Sequence, residues 1–313
     1  QLFIIISTKF LKFIKILSIE RSSMIETTEM GALFKKIRLS KKLALKDVAG
    51  DYLSISFLSK FERGESEISL SRFFLLLENL DVSIEEFYGI LSKEKPTYTE
   101  LLLERVSKAY YQNNILALKK YLKEENKKYH DSNKKLFLYN TIMIESFLST
   151  ITEEDVDEDK IKIITDYLFD IEQWGKRELI ILGNSMPAIS SETLNVLVKE
   201  VIYRTTLFGN NESNLKIRID LLINATSEFI ERNQLDLAKS YLDIISDIGI
   251  PEIFLHEKLE YNMLLGAFWM KSGKVEIGKK LIENCLSVLK TLGANNLLVS
   301  HEAYYEELLD STI

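Results

Sequence analysis

Three ten-residue segments, Asn113–Leu122 (NNILALKKYL), Asn233–Leu242 (NQLDLAKSYL) and Gly273–Ile282 (GKVEIGKKLI), align without gaps at offsets of 120 and 40 residues. Apolar or small residues fill the third, fifth, sixth, ninth and tenth positions of each. A segment in the intermediate phase, Thr193–Ile202 (TLNVLVKEVI), keeps four of those five positions, and the one at residue 153 does not. A 40-residue period with room for two helices predicts a solenoid of stacked helical hairpins, each burying its apolar face against its neighbours. Such arrays expose a concave surface suited to peptides or partner helices. With only 3 prolines and 12 glycines in 313 residues, the chain has too few turn residues for a sheet-rich fold. The expected class is all-α, with the solenoid over residues 98–313.

Ahead of the solenoid the pattern shortens to five small helices over residues 30–91. Gly31–Lys42 places Leu33, Phe34 and Ile37 on one face. Leu45–Ala49 and the segment following Ser54 read as a helix-turn-helix, with Gly50–Leu53 as the turn. Ser54 is an N-cap, Leu58 and Phe61 face inward, and Gly64 supplies the left-handed stop. The outward face is small and polar: Ser56, Ser59 and Lys60. Such a face approaches base edges without steric conflict. Ser69–Leu80, with Leu70, Phe73, Phe74, Leu77 and Leu80, is the expected core of this domain. Ser83–Glu86 is a capping box opening a last helix. Residues 92–97, charged and closed by Pro96, form the expected linker.

Residues 1–29 read as an extension, either translated upstream sequence with the start at Met24 or Met30, or an amphipathic membrane-surface segment. Lys9, Lys12 and Lys15 argue against a transmembrane span, and no small-residue cleavage site marks a signal peptide. Stable membrane insertion is not expected.

The net charge of −7 conceals a division. Residues 31–46 carry six basic side chains and no acidic one, whereas residues 92–313 carry 27 basic and 35 acidic residues, a net of −8. A basic stretch beside the suspected reading helix suits phosphate contact, and Lys36 is the candidate on that first helix. The single cysteine, Cys285, cannot form an internal disulfide, in keeping with a reducing cytoplasm. It falls on an apolar helical stripe and reads as a core thiol.

Nothing in the chain composes a catalytic centre. The histidines His130, His256 and His301 are far apart in sequence and have no cysteine neighbours. The acidic run Glu153–Asp159 lacks the glycine and ligand spacing of a calcium loop. No phosphate-binding glycine loop or metal spacing is found. No enzyme activity, metal or cofactor is expected.

Residues 31–90 resemble an XRE-type, lambda-repressor-like helix-turn-helix domain. The run Leu53–Ser69 (LSISFLSKFERGESEIS) is similar specifically to the Rgg/GadR/MutR regulators, and Phe229–Leu242 and Leu264–Leu286 extend the likeness. The resemblance implies a cytoplasmic, homodimeric transcription regulator with a tetratricopeptide-like C-terminal domain, in many members controlled by short signalling peptides. It implies a structural pair between Arg38 and Glu62, groove-facing Ser56, Ser59 and Lys60, and Arg63 as a phosphate contact. The chain departs from the XRE pattern at Ala44 and Leu45, where many members have Ser-Gln, so that helix lacks a side-chain cap. Where some relatives carry a cysteine it has Leu70, which excludes a crosslink there.

The expected function is sequence-specific DNA binding as a homodimer, governed by a short peptide in the solenoid and acting through reading-head placement or RNA polymerase. The alternatives are a ligand-independent dimeric repressor or activator, and a helical protein–protein adaptor. For the peptide, Arg218 suits a carboxylate and Asn224 a backbone amide, with Tyr261 and Asn262 on the next inner helix extending the lining.

Overall fold

The computed structural model describes residues 27–92, 98–152, 154–205 and 212–312. All but the last three residues of the expected extension, and all but the first of the expected linker, lie outside them. Among the described residues every regular element is helical. The chain divides into two compact units, one ending at Leu101 and the other beginning at Leu102. The division falls a few residues inside a helix, Tyr98–Tyr111, rather than at residues 92–97.

The first unit contains α1 (Thr27–Ser40), α2 (Leu45–Ala49), α3 (Ile55–Glu62), α4 (Leu70–Asn79) and α5 (Ile84–Ser92). Its core is an edge-to-face aromatic ladder, Phe34–Phe61–Phe73–Phe87, with centroid spacings of 5.7, 6.2 and 5.0 Å. Offset and edge-on contacts of this kind suit the ring quadrupole. The expected start of α1 at Gly31 is corrected to Thr27. Gly31 is buried mid-helix, where an added Cβ would lie 2.0 Å from the Phe61 carbonyl oxygen. It therefore sets the approach of α1 to α3. The expected core of α4 is also corrected: Phe73, Leu76, Leu77 and Leu80 are buried, while Leu70 and Phe74 are 65% and 45% exposed. Phe73 in the ladder defines the buried stripe. Phe74 lies about 100° round the helix from it, and Leu70 sits in the first turn.

The second unit continues with α6 (Tyr98–Tyr111), α7 (Ile115–Ser132), α8 (Lys135–Thr152), α9 (Glu158–Asp170) and α10 (Lys176–Ser185). A 3-10 turn at Met186–Ala188 leads to α11 (Ser191–Arg204) and α12 (Glu212–Glu231). The unit closes with α13 (Leu235–Ile248), α14 (Leu255–Lys271), α15 (Val275–Thr291) and α16 (Asn295–Thr312).

The sequence repeat has a backbone counterpart. Asn113, Asn233 and Gly273 have φ of 49°, 57° and 85°. At each, the amide of the next residue closes the preceding helix: Asn114 to Ala109, Gln234 to Phe229 and Lys274 to Trp269, at 2.7–2.8 Å. These are Schellman turns joining α6 to α7, α12 to α13 and α14 to α15, with glycine or asparagine where the left-handed residue is needed. The sixth repeat position, Leu118, Ala238 and Gly278, is buried in all three.

The intermediate phase does not share this turn. α11 starts instead from Ser190, whose Oγ accepts from the Thr193 amide at 3.3 Å. Arg232 donates to the carbonyls of Met186, Pro187 and Ile189 just before it. Gly183 is interior to α10, and the chain breaks only at Met186.

Candidate nucleic-acid interface and ligand surface

The turn between α2 and α3 depends on local chemistry at both ends. Ala44 has no side chain to cap α2, but its amide donates to Asp47 Oδ2 at 2.7 Å. That is half of a capping box, and it meets one of the open donors of the helix start. Ser54 Oγ accepts from the Phe57 amide at 3.2 Å and begins α3. At the other end, Gly64 (φ 74°) donates to Phe61 O and Glu65 donates to Lys60 O, both at 2.9 Å, which completes a Schellman motif. A Cβ on Gly64 would lie 2.5 Å from Thr28, so α1 also clamps this corner.

Beneath α3, Arg38 and Glu62 are each 6% exposed. Arg38 Nε and Nη2 donate to the two Glu62 oxygens at 2.6 and 2.8 Å, and Nη1 donates to the Leu43 carbonyl at 2.7 Å. The hydrogen bond to Glu62 holds the Arg38 pKa above its ordinary value. This fork ties α1 to the end of α3 and to the residues that enter α2. Lys41 is also engaged, donating to the Asp81 carbonyl at 2.7 Å. Two of the six basic side chains of residues 31–46 therefore serve the fold. Lys36 is exposed on α1.

Ser56 and Lys60 are exposed on the outer face of α3, and Ser59 is half-buried between them. Arg63 donates from Nε and Nη2 to the Glu65 carboxylate and from Nη1 to Ser59 Oγ, each at 2.6 Å. The hydrogen bond between them raises the Arg63 pKa and lowers that of Glu65. Two apolar residues beside this face were not expected there: Tyr52 and Ile55 are 65% and 51% exposed. Ile55 has the spacing of an inward residue, three before Leu58, and only its place directly after the cap distinguishes it. Small polar, basic and apolar groups on one short helix match the acceptors and thymine methyl groups of a major groove.

The four residues expected to line a ligand surface are not brought together. Lys216 on α12 donates to Asp220 and, across the seam, to Glu257 on α14, both at 2.8 Å. Arg218 lies about 200° round α12 from Lys216 and so points away from α14. Its Nε is buried and makes no hydrogen bond among the described residues. Asn224, 5% exposed, lies one turn beyond Asp220 on the seam side, and Tyr261 lies one turn beyond Glu257. Asn262 faces elsewhere. It lines an apolar groove of about 540 Å3 formed by α14, α15 and the start of α16.

The expectation that Asn224 lines an open ligand surface is corrected, because residues 221–230 of α12 are all buried. Leu221 and Ala225 are fully inside. The groove itself, with Leu255, Val288, Leu292 and Leu297 in its wall, was not foreseen. Its sequence signal is an apolar stripe on α15 wider than one helix contact needs. Cys285 sits in its floor, and burial, with Glu260 nearby, pushes its thiol pKa up to about 11.

Comparison with known proteins joins the two units. Residues 118–303 match the C-terminal domain of the HTH-type transcriptional regulator Rgg, and residues 34–87 match the helix-turn-helix family. The SHP pheromone receptor Rgg2 of Streptococcus dysgalactiae is 32% identical, with 89% of this chain and 99% of that one aligned and a TM-score of 0.72. A candidate transcriptional regulator from Listeria monocytogenes EGD-e is 22% identical over 90% of this chain and 98% of its own, with a TM-score of 0.76. PrgX in complex with cCF10 is 17% identical over 90% and 93%, with a TM-score of 0.67. The latter two share the fold.

Proposed function

The chain belongs to the Rgg family of helix-turn-helix transcriptional regulators, and from that premise we propose that a short peptide, bound in the helical second unit, controls how a homodimer reads its operator. The observation that carries the DNA-reading part is α3. It is capped by Ser54, held from beneath by the Arg38–Glu62 fork, and turns Ser56, Ser59 and Lys60 outward. Lys36 contacts phosphate, and Ser54, at the start of the helix, approaches the backbone. Two such helices related by a two-fold axis read half-sites one helical turn or a multiple apart.

Rgg2 is described as a pheromone receptor and PrgX occurs in complex with cCF10, which supports a peptide as the controlling ligand here. Asn224 and Tyr261 at the α12–α14 seam suit its backbone amides, whereas Arg218, on the other side of α12, does not join them. Asn262 serves a separate part of the surface, in the apolar groove. The peptide acts by binding one arrangement of the dimer better than another, and RNA polymerase is the recipient of that change.

Lys60→Ala is expected to weaken binding to promoter DNA upstream of the gene by about 1–3 kcal/mol for a direct base contact, and by less for a phosphate contact. Unchanged affinity in a mobility-shift titration would remove α3 from the reading role. Calorimetric silence across a broad hydrophobic-peptide library would instead favour a ligand-independent dimer. The complete burial of residues 221–230 is the observation that speaks for that second reading.

A further inference from the structure

The end of α3 points to a role for Arg63 other than holding a phosphate. The inference rests on the reading of α3 as the DNA-facing helix. Arg63, Ser59 and Ser56 are spaced four and three residues apart, so they share one stripe of α3 with Lys60 beside them. The Arg63 side chain turns back along that stripe, with Nη1 2.6 Å from Ser59 Oγ one turn earlier. It lies over the outward face of the helix instead of reaching past its end.

Its orientation is fixed by a carboxylate. Nε and Nη2 donate to Glu65 Oε1 and Oε2, each at 2.6 Å. Glu65 is itself placed by the Schellman bond from its amide to Lys60 O at 2.9 Å, and by Gly64, which packs against Thr28. The backbone from which the Glu65 side chain extends is therefore fixed relative to α3.

A guanidinium carries five N–H donors in one plane. Three are used by Glu65 and Ser59, leaving one on each terminal nitrogen. Two parallel N–H groups are what guanine O6 and N7 accept in the major groove. A phosphate contact needs no such orientation, and a carboxylate beside a phosphate would repel it. The same carboxylate offsets the Arg63 charge, which lowers attraction to any DNA regardless of sequence.

We propose that Arg63 reads a guanine bidentately and that Glu65 is its positioning residue. Both side chains are about half exposed, so variants there leave the core intact. The test begins with selection of duplexes from a random pool by the full-length protein. Affinities at one fixed salt concentration are then measured for the selected duplex, its single-base-pair variants and an unrelated duplex.

Arg63→Lys, which keeps the charge and loses the fork, is expected to weaken selected-duplex binding about tenfold and to abolish the preference at one G·C pair. Glu65→Gln is expected to lower the ratio of selected to unrelated affinity by a similar factor, through tighter unrelated binding and weaker selected binding. If Glu65→Gln tightened both duplexes equally while Arg63→Lys left every base preference in place, Arg63 would be a phosphate contact and the proposal would fail. Failure of the wild-type protein to select any sequence would overturn the underlying reading of α3 itself.

Discussion

Arg38 and Glu62 stand 24 residues apart in the chain and meet largely shielded from water. Removing one partner leaves the other as an uncompensated buried charge, so Arg38→Met or Glu62→Leu should cost about 3–5 kcal/mol. Replacing both with apolar residues of similar size should cost much less. Urea-dependent hydrogen exchange of the α1 and α3 amides would measure this within the first unit. A single-variant loss below about 1 kcal/mol would mean the fork is not what holds these helices. Cys285 makes a different residue-scale point. With its thiol pushed up to about 11 by burial, very little of the folded protein carries a thiolate at pH 8. An aromatic disulfide reagent should therefore react slowly with native protein and quickly after denaturation. The proton is held more tightly in the folded state, so the thiol's contribution to stability is intact below pH 9 and declines between 9 and about 11. Fast native-state labelling at pH 8 would contradict the burial.

Two glycines of the α14–α15 hairpin separate backbone conformation from close packing. Gly273 has φ 85° and open space around its missing side chain. Asparagine occupies the equivalent turns at Asn113 and Asn233, so Gly273→Asn should cost less than about 1 kcal/mol. Gly278 is helical, but an added Cβ would lie 2.4 Å from the Gly266 carbonyl oxygen and 2.5 Å from Met270 Cγ. Gly278→Ala must push α15 off α14 and should cost about 1–3 kcal/mol or more. Chemical denaturation of the second unit, followed by exchange at α14 amides, would rank the two, and equal costs would refute the close crossing. Gly31 in α1 follows the same logic as Gly278, because it faces the Phe61 carbonyl. The turns were legible in the sequence, since a left-handed residue has a strong local preference. The crossings were not, because a mid-helix glycine looks the same whether a neighbour or solvent lies beside it.

At the scale of the molecule, charge and exposure divide the labour. Residues 31–46 of the first unit carry six basic side chains and no acidic one, while the chain as a whole carries −7. DNA affinity should fall steeply with salt, and each phosphate contact removed should flatten the log–log slope by about 0.9. Lys36→Ala is the variant to measure, by fluorescence anisotropy across a salt series. An unchanged slope would place Lys36 off the DNA. The ligand surface was less legible than the reading helix. Arg218, Asn224, Tyr261 and Asn262 were grouped by their positions on two inner helices, yet they divide among three places. Helical phase relates residues within one helix, whereas the orientation of one helix about another depends on what packs between them, here the Lys216–Glu257 bridge.

What the amino-acid sequence determined by itself was the periodic part of this protein. The all-helical class, the left-handed turns at Asn113, Asn233 and Gly273, the Ser54 cap and the Gly64 stop depend on residues within about one turn of each other, and their preferences survive without tertiary context. The tertiary structure alone decided which apolar residues are covered. Leu70 and Phe74 fit the core pattern yet face water, and residues 221–230 of α12 are enclosed on every side. It also decided the partners of charges: Arg38 with Glu62 beneath the helix, Arg63 with Glu65 on its face. Burial and pairing are properties of neighbours brought together by folding, and a local pattern carries no record of which neighbours those will be.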